Sequence, residues 1–247
     1  MSRIAVLGAT GTIGRTLCRR LVKEGHNLVM LGRDPDKLSP LSQELDQPFA
    51  VVDIARSQDL EDQLRSHLSS GDGIQGLVNC IGSLSLKPAH STSDEEFRQV
   101  IETNLFSAFA AVRAGAKILR EQGGSIVLIA SAAAEVGIQN HEAISAAKAG
   151  VIGLARAAAA TYAPDNIRVN VVSPGLVRTD MTRRIWENPA AAKGSVEMHA
   201  LGRLGEPEHV ASLISWLLNP ENDWVTGQVI GVDGGLGHLL PRRRSPG

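Results

Sequence analysis

The chain has 247 residues, 43% of them hydrophobic and 21% charged, which is enough apolar material for one sizeable α/β core. A net charge of −1 gives no electrostatic case for binding nucleic acid or a membrane surface, and two cysteines, Cys18 and Cys80, make neither a disulfide framework nor a metal site alone. No apolar run nears the roughly 18 residues of a membrane span and no signal-peptide pattern precedes the first apolar segment, so a reducing, cytoplasmic setting is expected.

Ile4-Ala5-Val6-Leu7 reads as a short strand. Gly8-Ala9-Thr10-Gly11-Thr12-Ile13-Gly14 follows, and then a helix with Ile13, Leu17, Leu21 and Val22 on one side. Strand, glycine turn and helix in that order make a phosphate-binding corner. The glycines admit a pyrophosphate close to backbone, and the helix N-terminus offers unpaired N–H groups at the positive end of its dipole. The spacing is G-x-x-G-x-x-G rather than G-x-G-x-x-G, and a turn serving only strand–helix packing is the competing reading. Asn27–Gly32 is the second strand, with Arg33 at its tip. In dinucleotide folds that tip meets the adenosine ribose, where an arginine can pair with a 2′-phosphate, so NADP(H) is expected over NAD(H). The alternative is a surface arginine paired with Asp34 or Asp36.

Pro35–Leu45 is helical, Phe49–Val52 is a third strand ending in Asp53-Ile54, and a helix from Gln58 to Leu68 follows. Gly76–Val78 is the fourth strand, running into Asn79-Cys80-Ile81-Gly82. This alternation implies a parallel sheet that binds ligands at the carboxyl ends of its strands, where Asp53, Asn79 and Gly82 fall. Ser93–Arg120 is a long helix that opens on a capping box and contains Thr103-Asn104, a polar pair whose asparagine, if buried, satisfies backbone groups. Ser125–Ile129 is the fifth strand, with Ser131 at its end. An alanine-rich helix, Ser145–Tyr162, and a sixth strand, Arg168–Val172, come next. Thr182–Leu204 lacks a sheet period and carries Trp186, Met198 and Leu201, apolar enough to cover a ligand. Pro207–Leu218 is a helix with proline in its first turn, and Gln228–Ile230 is the last strand. No second domain, repeat or linker interrupts 1–247, and 240–247, with Arg242-Arg243-Arg244, reads as a solvated basic tail. The fold class is a single-domain, Rossmann-type, doubly wound parallel sheet of about seven strands with helices on both faces.

With these pieces in hand, the chain resembles the short-chain dehydrogenase/reductase family along nearly its whole length, nearest the compact 3-oxoacyl-acyl-carrier-protein reductases. The matching motifs are Gly8–Gly14, Asp53, Asn79–Gly82, Asn104, Ser131, Lys148, Arg168–Gly175, Thr179-Asp180-Met181, Gly202-Arg203 and Gly227–Gly235. The resemblance implies a nicotinamide cofactor lying over Gly8, Thr10, Gly11, Thr12, Ile13 and Gly14. Asp53 and Ile54 would lie by its adenine, Asn79 and Gly82 along it, and Pro174, Gly175, Val177 and Thr179 beside the nicotinamide. It implies that Ser131 polarises a carbonyl, that Lys148 holds the ribose, and that Asn104 holds a relay water. It also implies a carbonyl or acyl-thioester-like small-molecule substrate. Subunits would pair through the two long helices as a homodimer or homotetramer, or with an active relative.

Two departures stand out. Thr12 occupies the place of the family's middle glycine. More consequentially, the tyrosine that gives the substrate its proton belongs four residues before the lysine, and Ile144 stands there. The single tyrosine, Tyr162, is 14 residues beyond Lys148. That is roughly 21 Å along a helix, too far to substitute. General acid catalysis is worth on the order of 10²–10⁴-fold, so another donor is needed for efficient turnover. His141, seven residues before Lys148, matches the tyrosine spacing of the family's enoyl-acyl-carrier-protein reductase branch, and an unperturbed imidazole titrates near neutral pH. Glu142 is the next candidate, and a capping or solvent-facing role is the competing reading of His141. Two functions follow: an NADP(H)-dependent oxidoreductase with a non-standard acid, or a cofactor-binding subunit without turnover.

Overall fold

The computed structural model describes residues 3–68 and 73–240. The tail around Arg242–Arg244 lies outside the described residues. Seven parallel strands form one sheet in the order β3-β2-β1-β4-β5-β6-β7. They are β1 (Arg3–Leu7), β2 (Asn27–Gly32), β3 (Phe49–Val51), β4 (Ile74–Asn79), β5 (Gly124–Ile129), β6 (Ile167–Pro174) and β7 (Val229–Val232). Parallel neighbours cannot be joined by a tight turn, so each connection crosses a face, and the helices cover both sides.

The β1 side chains show how the two layers arise. Successive residues of a strand point to opposite faces. Ile4 and Val6 join a core with Leu17 and Leu21 of α1 (Thr12–Lys23) and Val210 and Ile214 of α9 (Pro207–Leu218). Ala5 and Leu7 join another with Leu60 and Leu64 of α3 (Ser57–Leu68), beside α5 (Ser107–Leu119) and α6 (Glu142–Tyr162). A strand buried on both faces therefore reads as an unbroken apolar run. Helix α2 (Pro35–Leu45) is capped by Asp34, whose carboxylate accepts the Asp36 N–H at 3.1 Å.

The expected helix over 93–120 is interrupted. α4 (Asp94–Ile101) begins with the capping box, Ser93 Oγ accepting from Glu96 N at 3.2 Å and Glu96 Oε2 from Ser93 N at 2.8 Å. Lys87 grips the same carboxylate at 2.8 Å and, with the Ser93 backbone, holds it down at about 2. A π-helical turn, Glu102–Phe106, then separates α4 from α5. The Asn104 side chain donates to Val100 O at 2.9 Å within that turn. Helix α6 begins at Glu142 rather than Ser145. With its following turn, Glu142–Asp165, it is long and apolar enough by length and composition to cross a bilayer, contrary to the sequence expectation. Its alanines and glycines raise hydropathy without forming a charge-free run, since Lys148 and Arg156 interrupt it. Half of that window is buried inside the fold, where Val151 and Ala155 pack in the core of the sheet.

The β1–α1 turn is the tightest point. A Cβ on Gly14 would sit 2.2 Å from Gly8 O, and one on Gly8, at φ +72°, would sit 3.0 Å from the backbone of Cys80 and Ile81. Gly14→Ala is expected to destabilise the fold by about 1–3 kcal/mol, because backbone rather than a flexible side chain must move. A lowered midpoint in equilibrium urea unfolding checks this.

Candidate functional site

The sheet order reverses between β1 and β4, and the strands on either side of that point carry their connections to opposite faces. A crevice of about 450 Å³ opens there at the carboxyl ends of the strands. Its walls are the β1–α1 turn (10–15), the loop after β4 (80–84), the end of β5 (129–131), Ile144 and Lys148 of α6, and the segment 174–182 after β6. Of the site residues expected from sequence, Thr10, Gly11, Thr12, Ile13, Gly14, Gly82, Asn104, Ser131, Lys148, Pro174, Gly175, Val177 and Thr179 line it. Gly8 lies just beneath, as the pivot of the turn.

One end is formed by the start of α1. Gly11 is the N-cap and offers no side chain to bond the first-turn N–H groups, and no acidic residue sits in that turn. An anion is the natural complement of such an end. Thr12, the departure from the family's glycine, closes a clasp across the mouth. Its hydroxyl donates to Asp180 Oδ2 at 2.9 Å and accepts from Asp180 N at 3.1 Å. Arg15 pairs with the same carboxylate at 2.9 Å and Arg183 with its other oxygen at 2.7 Å.

Arg33 is exposed just beyond β2 and does not line the crevice. Among the described residues it makes no ion pair: Asp34 is taken by Lys37 at 3.4 Å and by its capping bond, so the competing pairing with Asp34 or Asp36 is absent. Lys37 and Arg15 do reach the crevice wall. Asp53 and Ile54 lie outside it. The Asp53 carboxylate accepts Ala55 N at 3.1 Å and meets Arg56 at 3.9 Å, while Ile54 packs on the core. Asn79 is buried and also outside the lining, its amide donating to Ser107 Oγ at 3.1 Å and its carbonyl accepting Ile81 N at 3.0 Å, so it shapes the β4 turn.

At the opposite end, Ser131 Oγ accepts Ala133 N at 3.2 Å, which leaves its O–H to donate. Asn104 is buried and occupied by the chain: Oδ1 accepts Ser83 N at 3.1 Å, and Nδ2 donates to Ser83 Oγ at 2.9 Å as well as to Val100 O. Lys148 is buried, donates to Ile129 O at 2.8 Å, and is pushed down by burial to about 8. The nearby Cys80 thiol is pushed up by burial to about 12. Ile144, one turn before Lys148, is 3% exposed and packs with Val100, Ala143 and Ala147. His141 is not part of the wall. It is the N-cap of α6, and its Nδ1 is 2.7 Å from Gln139 O in an exposed turn. Glu142 is exposed, and neither residue is brought to the crevice. Tyr162 packs at the far end of α6.

Several contributors escaped the sequence reading. Ser83, Lys37 and Arg15 carry no family signal of their own, and Asp180 was legible only as part of a motif. His199 is buried, its Nδ1 bonded to Ser195 O at 2.6 Å and its Nε2 accepting Leu176 N at 3.1 Å, which ties α8 (Pro189–Met198) to the segment after β6. No local pattern marks it.

A doubly wound sheet with a glycine-turn anion site at its switch point and a serine–lysine wall beyond it defines a nucleotide-binding oxidoreductase fold. A family model described as enoyl-(acyl carrier protein) reductase matches residues 8–237. The chain belongs to the short-chain dehydrogenase/reductase family. It is 33% identical to carbonyl reductase family member 4 of Danio rerio, over 97% of this chain and all of that protein. It is also 33% identical to a 3-oxoacyl-[acyl-carrier-protein] reductase of Mus musculus, over 94% of this chain and 96% of that one. A solved short-chain type dehydrogenase/reductase from Mycobacterium ulcerans superposes with a TM-score of 0.92 at 29% identity, covering 97% of this chain and 91% of the other.

Thr12 and then Arg15 hold the Asp180 carboxyl below its usual range. The clasp is therefore complete above the ordinary aspartate pKa and is lost only as pH falls through the lowered value. Asp180→Asn should speed hydrogen exchange over 179–186 severalfold while shifting Tm little, since exposed ion pairs contribute roughly 0–1 kcal/mol.

Proposed function

We propose that the protein is an NADP(H)-dependent reductase of carbonyl or activated enoyl compounds whose proton donor is not a tyrosine. The observation that carries this reading is that Ser131, Lys148 and the apolar Ile144 all line a crevice that ends in a glycine turn, with Arg33 exposed just beyond β2. The residues fit a dinucleotide. The α1 N-terminus is uncapped by any side chain, and the backbone packing that Gly8 and Gly14 permit holds that end at the crevice. Thr10–Gly14 would hold the pyrophosphate, and Arg33, with Lys37 and Arg15 nearby, the 2′-phosphate. Asp53 and Ile54 would flank the adenine, with Asn79 supporting the β4 turn from behind. Gly82 and Lys148 would meet the nicotinamide ribose, and Pro174, Gly175, Val177 and Thr179 the ring.

When bound, a reduced nicotinamide supplies the hydride. The chain supplies orientation and charge control. The Ser131 O–H is free to donate to a carbonyl oxygen, and Ile144 adds an apolar group to the lining. A substrate with an acyl-thioester-like tail would pass under the lid of α7 (Arg183–Trp186) and α8, in keeping with relatives named for oxoacyl and carbonyl reduction. The small-residue faces of α5 and α6, with Phe109 exposed beside them, suit pairing of subunits in a homodimer or homotetramer. A cytoplasmic, reducing setting suits two free cysteines. The buried isoleucine in place of a phenol also favours a second reading, a cofactor-binding subunit that pairs with an active relative and does not turn over alone.

Calorimetric titration with NADPH and NADH tests the shared premise. Arg33→Ala is expected to weaken NADPH binding about ten- to a hundredfold and NADH binding little, because a charge-assisted bond to phosphate is worth roughly 1.5–3 kcal/mol. Tighter binding of NADH by the wild type would refute the role of Arg33. Ile144→Tyr should raise ketone reduction, by up to the roughly 10²–10⁴-fold that a general acid contributes, provided the larger ring is accommodated. Initial rates on a panel of ketones, 3-oxoacyl thioesters and enoyl thioesters check this. Gain by the variant over a silent wild type would favour the subunit reading.

A further inference from the structure

We propose that Lys148 is itself the acid of this enzyme, its ammonium giving the proton directly to the oxygen of a carbonyl held by Ser131. The inference rests on the reductase reading above and names the donor that reading leaves open. Four features of the crevice carry it. Lys148 is 6% exposed and faces the crevice, with one acceptor, Ile129 O at 2.8 Å, for its three N–H bonds. No carboxylate among the described residues pairs with it. Ile144, one turn before it on α6 and also lining the crevice, offers no hydroxyl. The remaining titratable candidates on its own helix, His141 and Glu142, are outside the wall.

The groups that face Lys148 from the packed elements are neutral. From the loop after β4 comes the Cys80 thiol, which burial keeps protonated. From the π turn comes the Asn104 amide, and from the end of β5 the Ser131 hydroxyl. An ammonium without a counter-ion in a desolvated wall is a stronger acid than one in water, and burial moves Lys148 down to about 8. That places it where a donor is still mostly charged at neutral pH yet gives up its proton readily. Gly82 keeps the approach open. A Cβ there would lie 3.2 Å from Asn104 Oδ1 and 3.5 Å from Lys148 Nζ, so the missing side chain leaves a notch between the two.

The step balances. As the carbonyl carbon gains hydride, the C=O π pair moves to oxygen and takes a proton from Nζ, giving the alcohol. The ammonium becomes a neutral amine, which recovers a proton from water through the Gly82 notch. In the oxidative direction the same amine accepts the alcohol proton.

Two readouts test this. Selective ¹³Cε labelling of lysine, with the Lys148 resonance identified by its loss in Lys148→Arg, gives the titration of Lys148 by NMR in the protein alone; a midpoint near 8 is expected. A midpoint near the ordinary lysine value of about 10.4 would overturn the proposal. The second readout is NADPH affinity set against turnover of a 3-oxoacyl thioester. Arg retains the charge but does not give up a proton near neutral pH. Lys148→Arg should therefore keep NADPH affinity within a fewfold, lower kcat about 10²–10⁴-fold, and remove the fall in kcat that the wild type shows as pH rises through the Lys148 midpoint. Lys148→Met, of similar length, guards against a misfit of Arg and should lose kcat to the same degree. Retained kcat in both variants, or an equal loss in His141→Ala, would overturn the assignment. Wild type that fails to bind NADPH would sink the cofactor reading instead, and binding without turnover of any substrate would favour the inactive subunit over both.

Discussion

One close backbone approach governs the rest. Gly8 O sits where a Gly14 side chain would begin, and Gly8 itself lies against the backbone of Cys80 and Ile81. Turn, first helix and β4 tip are thereby locked at van der Waals distance. That lock points the uncapped end of α1 at the gap between β1 and β4, and it sets the floor on which every other wall of the crevice stands. Neighbouring strands then fix the remaining positions, with β5 delivering Ser131 and β6 delivering the segment that reaches back to Thr12.

Thr12 ties the opening of the crevice to the segment after β6. A glycine there would offer no hydroxyl. The threonine offers one, and it ties the turn to Asp180, together with Arg15 and Arg183. The opening of the crevice is thus held by groups that titrate and pair, and its floor by backbone packing.

Ile144 completes a small apolar cluster between α4 and α6, with Val100, Ala143 and Ala147. Lys148 lies one turn further along α6. Burial of its ammonium in the wall, with no carboxylate among the described residues paired to it, moves its pKa down to about 8. The π turn at Asn104 belongs to the same region: its amide is consumed in closing the helix irregularity and in holding Ser83, so it shapes the wall and leaves little capacity for anything else.

The order of elements, the parallel sheet and the glycine turn were readable from the sequence because they rest on local rules. Apolar runs of strand length, helical spacing and turn glycines are short-range features, and the absence of a tyrosine before Lys148 needs only counting. Membership of the crevice wall was readable only in part. His141 has the right spacing along the chain, yet its helix starts just after it and the ring turns to Gln139 O. Asp53 and Asn79 sit at strand ends as expected, but outside the lining: the Asp53 carboxylate accepts Ala55 N, and Asn79 bonds Ile81 N and Ser107 Oγ. Conversely, Arg15, Lys37 and Ser83 reach the wall only because distant segments meet there. Side-chain direction and the competition for each hydrogen-bonding group are settled by contacts between residues far apart in the chain, and no window of sequence contains both partners.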